Sequence, residues 1–255
     1  VSLTVSNPNG QQSTASLSVV VQALPSSQLT LASSGSGFGT QLVSGQTVFK
    51  RCTSAGVTAT LFNFNTPSYP NTTQTFNWGD GSPVQTQAAI VAGQLSHTFA
   101  LGAFILSHTI TSANGCQATT QYLVFNGAAP VLSVSGSGQN TCLPFPYEID
   151  VLSNNIPGTN YTVSFTDNSP VVNFSTVNDT TIAHIFNTSS CGQSYPVGPL
   201  LIENAYSATI IAQNVCGATF ATVGPIIISA PSDAAFTYSP ASPICQNEPV
   251  SFSNT

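Results

Sequence analysis

The three histidines of this chain are the side chains best suited to acid–base chemistry. A nucleophilic site needs a serine or cysteine beside such a base, with a third group that orients the base. His97 and His184 instead recur at matched positions of two similar segments, which is typical of a structural residue in a repeat. His108 alternates with apolar residues on a predicted strand, so we expect it to be exposed. We therefore predict no catalytic residue and no enzyme activity.

Acidic side chains are too scarce to indicate a metal site. Glu148 and Asp150 are the nearest couple, two residues apart on one face of a predicted strand. A calcium ion usually takes about 6–8 oxygen ligands from a denser acidic cluster. We expect this pair to face solvent, and we predict neither a metal nor a cofactor.

The two similar segments each combine an aromatic residue, a tight turn and a histidine. Trp78 precedes Gly79-Asp80-Gly81, which predicts a core aromatic at a strand end followed by a turn that Asp80 caps. In the second copy Asn168 replaces Gly81, and asparagine tolerates a left-handed backbone better than most residues. Both aromatic-to-histidine separations are 19 residues. The structural motif comprises Trp78, Gly79, Asp80, Gly81, His97 and Phe99 in one copy and Phe165, Asp167, His184 and Phe186 in the other.

Hairpin signals recur about every 100 residues along the chain. Turn glycines at Gly10, Gly115 and Gly217 are 105 and 102 residues apart, and a proline follows each hairpin. This period suits a sandwich domain rather than a solenoid unit. We predict the closing hairpin of one β-sandwich at 1–25, complete sandwiches at 26–129 and 130–231, and the start of another at 232–255. The extra residues around Cys191 and Pro196 are expected to form a loop.

The composition favours an exported all-β protein. Charged residues make up 4% of the chain, and Lys50 with Arg51 cannot form a phosphate-binding patch, so nucleic-acid binding is excluded. No apolar run approaches the roughly 18 residues of a membrane span. The 19 glycines and 17 prolines interrupt the chain too often for long helices. The absence of methionine indicates a window cut from a longer polypeptide.

The cysteines favour disulfides over a metal site, because none forms a C-x-x-C pair and none lies near a histidine in the sequence. Cys52 and Cys116 lie in the first and last thirds of one predicted repeat, as Cys142 and Cys216 do in the next. We predict one bridge within each repeat. We expect a Cys52 bonded outside its own repeat to contradict the division into repeats.

Two cysteines have no assigned partner. Cys191 could bond Cys216 or Cys142 instead, which would leave a different thiol free. Cys245 is expected to pair beyond Thr255.

The first segment resembles a known domain family. Trp78-Gly79-Asp80-Gly81-Ser82, His97-Thr98-Phe99, Gly102 and the alternating strand from Phe104 resemble the PKD domain, an immunoglobulin-like β-sandwich named for polycystic kidney disease. Cys52 with Asn114-Gly115-Cys116 further resembles PKD-like repeats of very long Bacteroidetes surface proteins, including gliding-motility adhesins secreted by the type IX system. The resemblance implies tandem sandwiches in a rod-like array and carriage to the cell surface by outer-membrane secretion machinery.

These features predict a fragment of a secreted cell-surface stalk or adhesin. Its partners would be neighbouring domains of the same chain and, by the resemblance, polysaccharide or substratum. Two alternatives remain: the domains are carbohydrate-binding accessories of an exported protease or glycosidase, or the chain is a subunit of a self-associating filament.

Overall fold

The chain folds into β-sheets throughout the part that the structure describes. The computed structural model describes residues 1–21, 24–31, 37–53, 59–65, 72–88, 94–136, 139–152, 155–175, 178–231 and 234–254. Every regular element in these ranges is a strand, so the all-β prediction is confirmed. None of the described residues belongs to a helix that could cross a membrane. Two compact units are formed, Val1–Arg51 with Gly56–Asn126 and Cys52–Ala55 with Gly127–Thr255.

The first unit contains a hairpin and two sheets. The hairpin strands are β1 (Ser2–Ser6) and β2 (Gln12–Ser16). One sheet has the order β3-β6-β9, with β3 at Thr30–Leu31, β6 at Ala59–Asn65 and β9 at Gln94–Ala100. The other has the order β4-β5-β11-β10-β7-β8, with β4 at Gly39–Val43, β5 at Gln46–Cys52, β7 at Thr73–Asn77, β8 at Gln85–Ala88, β10 at Gly102–Thr111 and β11 at Gln117–Gly127.

Both sheets of the first unit contribute side chains to one core. Phe99 comes from β9 in the small sheet, and Phe76 and Leu106 come from β7 and β10 in the large sheet. Such a core, lined by the facing sides of two sheets, is the arrangement of a β-sandwich. The buried cluster consists of Leu29, Phe49, Phe76, Trp78, Phe99, Leu106, Tyr122 and Val124.

His108 is fully buried, so the prediction that it is exposed was wrong. It lies on β10 between Leu106 and Ile110, and all three side chains point to the same face because a strand alternates every two residues. The ring stacks on Phe76 with centroids 4.6 Å apart. Nδ1 lies 2.7 Å from the carbonyl oxygen of Ser27, and Nε2 lies 2.8 Å from Oε1 of Gln74.

The second unit contains two sheets of the same connectivity. One has the order β12-β14-β17, with β12 at Ser133–Ser135, β14 at Phe145–Leu152 and β17 at Thr180–Phe186. The other has the order β13-β21-β20-β15-β16, with β13 at Gln139–Cys142, β15 at Asn160–Phe165, β16 at Val172–Ser175, β20 at Tyr206–Asn214 and β21 at Gly217–Ser229. These strands correspond in order to β3 and β5–β11, with β4 as the extra strand of the first unit. A final pair, β22 (Phe236–Ser239) and β23 (Ser251–Asn254), forms a separate two-stranded sheet.

The residues predicted as a loop around Pro196 form a hairpin instead. Its strands are β18 (Ser194–Val197) and β19 (Leu200–Glu203), and Val197 pairs with Leu200. Only Gly198 and Pro199 lie between the paired residues, and Gly198 has a φ of 58°. A two-residue turn with a left-handed glycine is a favoured connection for a hairpin, although the prolines suggested a loop.

The burial of His108 predicts a loss of stability in mild acid. Burial lowers the pKa of His108 below 6.5, although the hydrogen bond with Ser27 opposes the shift. As the pH falls below about 6.5, the unfolded chain binds a proton that the folded chain does not, so the free energy of unfolding decreases. Urea unfolding followed by fluorescence of the single tryptophan, which lies in the first unit, measures this effect. In His108→Gln the free energy of unfolding should fall less between about pH 7 and 5 than in the wild-type protein. An equal fall in both proteins would show that His108 is not the source of the acid sensitivity.

Candidate functional site

Asp80 caps the turn that follows β7. One carboxylate oxygen, Oδ1, accepts a hydrogen bond of 3.0 Å from the backbone N–H of Ser82. The amide oxygen of Asn77 accepts another, of 3.2 Å, from the N–H of Gly79. Gly79 and Gly81 have φ values of 76° and 88°, a backbone region that glycine enters without a steric penalty. The turn therefore presents the second carboxylate oxygen, Oδ2, towards the sandwich.

Gly79 is required for a second reason. A Cβ atom at this position would collide with the backbone oxygen of Ile105 on β10. In the second unit Thr166 occupies the corresponding position, and its hydroxyl group accepts a hydrogen bond of 2.9 Å from the N–H of Ser207 on β20. The backbone N–H of Thr166 also donates a hydrogen bond of 3.0 Å to the carbonyl oxygen of Ser207, so the turn of the second unit contacts the neighbouring strand through both backbone and side chain.

His97 completes the first site by pairing with Asp80. Its Nε2 atom lies 2.6 Å from Oδ2 of Asp80, and the two side chains are 16% and 10% exposed. The imidazole lies flat on the indole of Trp78, with ring centroids 4.1 Å apart and an interplanar angle of 4°. Phe99 meets the edge of both rings. Asp80 follows a strand of the large sheet and His97 lies on β9 of the small sheet, so the pair links the two sheets.

The second unit repeats this arrangement. Nε2 of His184 lies 2.7 Å from Oδ2 of Asp167, and Oδ1 of Asp167 accepts a hydrogen bond of 3.0 Å from the N–H of Ser169. The His184 ring stacks on Phe165 with centroids 3.9 Å apart, and Phe186 packs edge-on against both. We call each arrangement of carboxylate, imidazole and stacked aromatic ring a cross-sheet lock.

Asn168 preserves the turn of the second lock. It has a φ of 64°, close to the left-handed backbone of Gly81 in the first lock. Asparagine is one of the few residues other than glycine that enter this region readily. The turn geometry therefore survives the loss of both glycines.

The locks hold hydrogen-bonded pairs of aspartate and histidine rather than an arrangement for nucleophilic catalysis. In a catalytic triad the histidine lies between the carboxylate and the nucleophile. Here the hydrogen-bond partner of each imidazole, among the described residues, is the carboxylate that also caps the turn. The same part of the chain contains no group of three His, Cys, Asp or Glu side chains that could hold a metal ion. Glu148 and Asp150 are exposed on β14.

Both lock carboxylates have a lowered pKa. Burial by itself raises the pKa of Asp80, but the hydrogen bonds with His97 and Ser82 outweigh it and bring the pKa below 3.8. Burial likewise opposes the shift at Asp167, and the bonds with Ser169 and His184 again lower the pKa below 3.8. Both carboxylates are therefore ionised at neutral pH, and their ionised form stabilises the fold.

The cysteine pairings predicted within repeats were wrong. Cys52 and Cys216 form a disulfide, with Cα atoms 5.6 Å apart. Cys116 and Cys142 are free thiols, and so are Cys191 and Cys245, which also excludes the alternative pairings of Cys191. The bridge joins predicted repeat 26–129 to predicted repeat 130–231, which counts against repeats that are closed on themselves. The sheets of these two repeats nevertheless share no strand, and the boundaries stay a prediction.

The length of one strand explains why the predicted pairs do not form. Thr53, the residue after Cys52, donates a hydrogen bond of 2.7 Å to the last residue of β11. Cys116 immediately precedes the first residue of β11, so the two cysteines lie at opposite ends of this strand. The 11 residues of β11 span roughly 35 Å, while a disulfide needs Cα atoms within about 7 Å. In the second predicted pair, Cys142 lies beside the last residue of β21, and Cys216 immediately precedes the first residue of that strand. The 13 residues of β21 therefore separate Cys142 from Cys216 by roughly 40 Å.

The pairing of histidine with aspartate was not predicted from the sequence. The feature of the sequence that could have indicated this pairing is the separation of 17 residues between aspartate and histidine, which is the same in both copies. The sequence could not indicate that the strands bearing these residues belong to different sheets of one sandwich.

Comparisons with known proteins found similarity to solved structures but to no family model or curated protein. No model of a protein family and no curated protein matches the chain. Similar solved structures include fibronectin(III)-like modules of Clostridium thermocellum CbhA, at 14% identity and a TM-score of 0.29 over 80% of this chain and 95% of that chain. Escherichia coli alpha-2-macroglobulin activated by porcine elastase matches at 10% identity and a TM-score of 0.25, over 92% of this chain and 26% of that one.

A cytokine receptor complex also matches, at 10% identity and a TM-score of 0.23, over 65% of this chain and 91% of that chain. At these TM-scores the likeness carries no argument about function. The fold assignment rests on the strand pairings and the two cores described above.

The locks predict a matched set of stability effects. Asp80→Asn and Asp167→Asn keep an oxygen that can accept the turn hydrogen bond but remove the charge that pairs with histidine. Each should lower the free energy of unfolding at pH 7 by about 1.5–3 kcal/mol, the scale of a hydrogen bond to a charged group. The exposed Glu148 gives a control, since Glu148→Gln should change stability by less than about 0.5 kcal/mol. Urea unfolding followed by circular dichroism measures all three.

The same variants should respond differently to strong acid. A depressed carboxylate pKa contributes stability that is present above the unfolded value and is lost as the pH falls through the folded value. The wild-type protein should therefore lose stability below about pH 4, and each Asn variant should lose less. If Glu148→Gln reduced the loss of stability in acid as much as Asp80→Asn does, the lock carboxylates would not be the source of that loss.

Proposed function

We propose that the chain is part of a long, secreted, multi-domain cell-surface protein in which repeated β-sandwiches form a stalk or adhesive filament. The observation that carries this proposal is the recurrence of the cross-sheet lock: an Asp–His pair 17 residues apart, stacked on an aromatic ring, in two successive sandwiches. A chain that repeats the same internal support in successive domains is suited to setting length and resisting extension.

The disulfide supports a mechanical role. It joins residues 164 positions apart, so tension applied at the two ends of the chain passes from Cys52 directly to Cys216. Residues 53–215 lie inside the closed loop, so this segment cannot be pulled out to its full length while the bond is intact. Most of both predicted complete repeats falls within this loop.

The composition supports an extracellular setting. Disulfides persist in oxidising compartments, and lysine and arginine occur at only two positions, so trypsin-like proteases have few sites to cut. The resemblance to PKD-like repeats of Bacteroidetes surface proteins adds gliding motility, type IX secretion and contact with polysaccharide or substratum to the proposal.

Surface labelling tests the location and the stalk role. Antibodies against residues 130–231 should label intact cells of the source organism, and gold-labelled sections should place the epitope outside the outer boundary of the cell. An antibody to a cytoplasmic protein, which should label permeabilised cells alone, is the control. Labelling that required permeabilisation would contradict the proposal.

Force spectroscopy tests the load path. When the oxidised chain is pulled by its ends, complete unfolding should give an extension about 560 Å shorter than under reducing conditions, because 164 residues at about 3.4 Å each are held in the loop. Cys52→Ser should unfold to the full length with or without reductant.

The size of the reductive step distinguishes the bridge from the pairings expected from the sequence. Bridges between Cys52 and Cys116 and between Cys142 and Cys216 would release 64 and 74 residues, in steps of about 220 and 250 Å. Steps of that size would show that the load bypasses each repeat separately.

A further inference from the structure

The free thiol of Cys142 occupies the same place in the second unit as the bonded Cys52. Each is the last residue of a short strand, β5 or β13, that lies beside the last long strand of its sheet. In both cases the N–H of the following residue donates to the carbonyl of the last residue of that long strand, at 2.7 Å and 3.1 Å. Both cysteines are exposed. We call Cys52 and Cys142 strand-end cysteines.

The free thiol of Cys116 corresponds in the same way to the bonded Cys216. Each lies in the hairpin turn directly before the last long strand, β11 or β21. The N–H of each cysteine donates to a side-chain oxygen of the turn, Ser112 Oγ at 3.1 Å and Asn214 Oδ1 at 2.8 Å. Both are partly buried. We call Cys116 and Cys216 hairpin cysteines.

Within one repeat these two positions cannot bond each other. The last long strand separates them, and its 11 or 13 residues far exceed the reach of a disulfide. The bond that does form joins the strand-end cysteine of one repeat to the hairpin cysteine of the next. The same two positions therefore already define a bonding pattern that connects successive repeats.

Building on the proposed array of repeats, we infer that Cys142 forms a disulfide with the hairpin cysteine of the repeat that follows, and Cys116 with the strand-end cysteine of the repeat that precedes. The partner in each case is the thiol of another sandwich of the same chain. Successive bridges then overlap, because Cys142 lies inside the loop that Cys52 and Cys216 close. Overlapping loops give a covalent path along the array that does not depend on the folding of any one sandwich.

Each bridge forms by ordinary thiol–disulfide exchange. A cysteine thiolate attacks one sulfur of an oxidant disulfide and expels the other sulfur as a thiolate. The second cysteine then attacks the mixed disulfide, which forms the protein S–S bond and releases the remaining oxidant sulfur. Two protein thiols lose two protons and two electrons in total, and the oxidant disulfide becomes two thiols.

Disulfide mapping of the full-length native protein tests the inference. The protein is alkylated without reduction and digested with chymotrypsin, since tryptic sites are almost absent. We expect peptides in which Cys142 is bonded to a cysteine that directly precedes the last strand of the following repeat, and peptides in which Cys116 is bonded to a strand-end cysteine of the preceding repeat. Alkylated Cys116 or Cys142, or a bond between them, would overturn the inference.

A pair of variants provides a second readout. Cys142→Ser should expose one new alkylatable thiol, at the hairpin cysteine of the following repeat. Cys191→Ser is the control, because Cys191 occupies neither position, and it should expose none. If the flanking repeats exist and label at the cell surface but Cys142→Ser exposes no new thiol, the inference fails while the proposed function stands. If no flanking repeats exist, the proposed function fails first.

Discussion

The interaction on which each sandwich depends is the contact between a turn carboxylate and a histidine on the opposite sheet. Asp80 and His97 are both largely buried, and a buried charge or polar group is costly unless it is paired. The carboxylate oxygens are divided between the turn amide and the imidazole, and the imidazole lies on the core aromatic ring. Shifting one sheet against the other by a residue would separate the carboxylate from the imidazole and move the imidazole off the aromatic ring on which it stacks. The pair therefore fixes the relation between the sheets in a way that apolar packing alone does not.

The two copies show which parts of this arrangement are chemically essential and which can be exchanged. The ring under the histidine is an indole in one copy and a phenyl group in the other, because stacking requires a flat apolar face rather than a particular residue. The left-handed turn position accepts either Gly81 or Asn168. Gly79 lies too close to the backbone of β10 for a side chain, whereas Thr166 contacts β20 through its backbone N–H and its hydroxyl group. The carboxylate, the imidazole, their separation, the serine N–H that the carboxylate accepts from and the edge-on phenylalanine are the same in both copies.

The length of the last strand in each sandwich determines which cysteines can form a disulfide. The last strand of each sandwich extends over 11 or 13 residues, which places a hairpin cysteine and a strand-end cysteine at its opposite ends. Sulfur atoms that far apart cannot meet, so each position needs a partner outside its own sandwich. The bridge between Cys52 and Cys216 joins the strand-end position of one predicted repeat to the hairpin position of the next.

The sequence by itself determined the local features: an all-β chain, the hairpins at Asn9-Gly10 and Asn114-Gly115, and the repeated aromatic, turn and histidine motif. These depend on alternation, turn chemistry and spacing, which act over a few residues. It did not determine that His108 is buried, because the neighbours that enclose the ring, Ser27 and Gln74, are 81 and 34 residues away. It also led to the wrong partners for Cys52 and Cys216, since relative position along a repeat does not reveal which end of a strand a residue occupies. The tertiary structure decided the burial of His108 and the partner of each cysteine. Only the assembled sheets bring residues that are distant in sequence within bonding distance, and they also keep the two cysteines of one repeat apart.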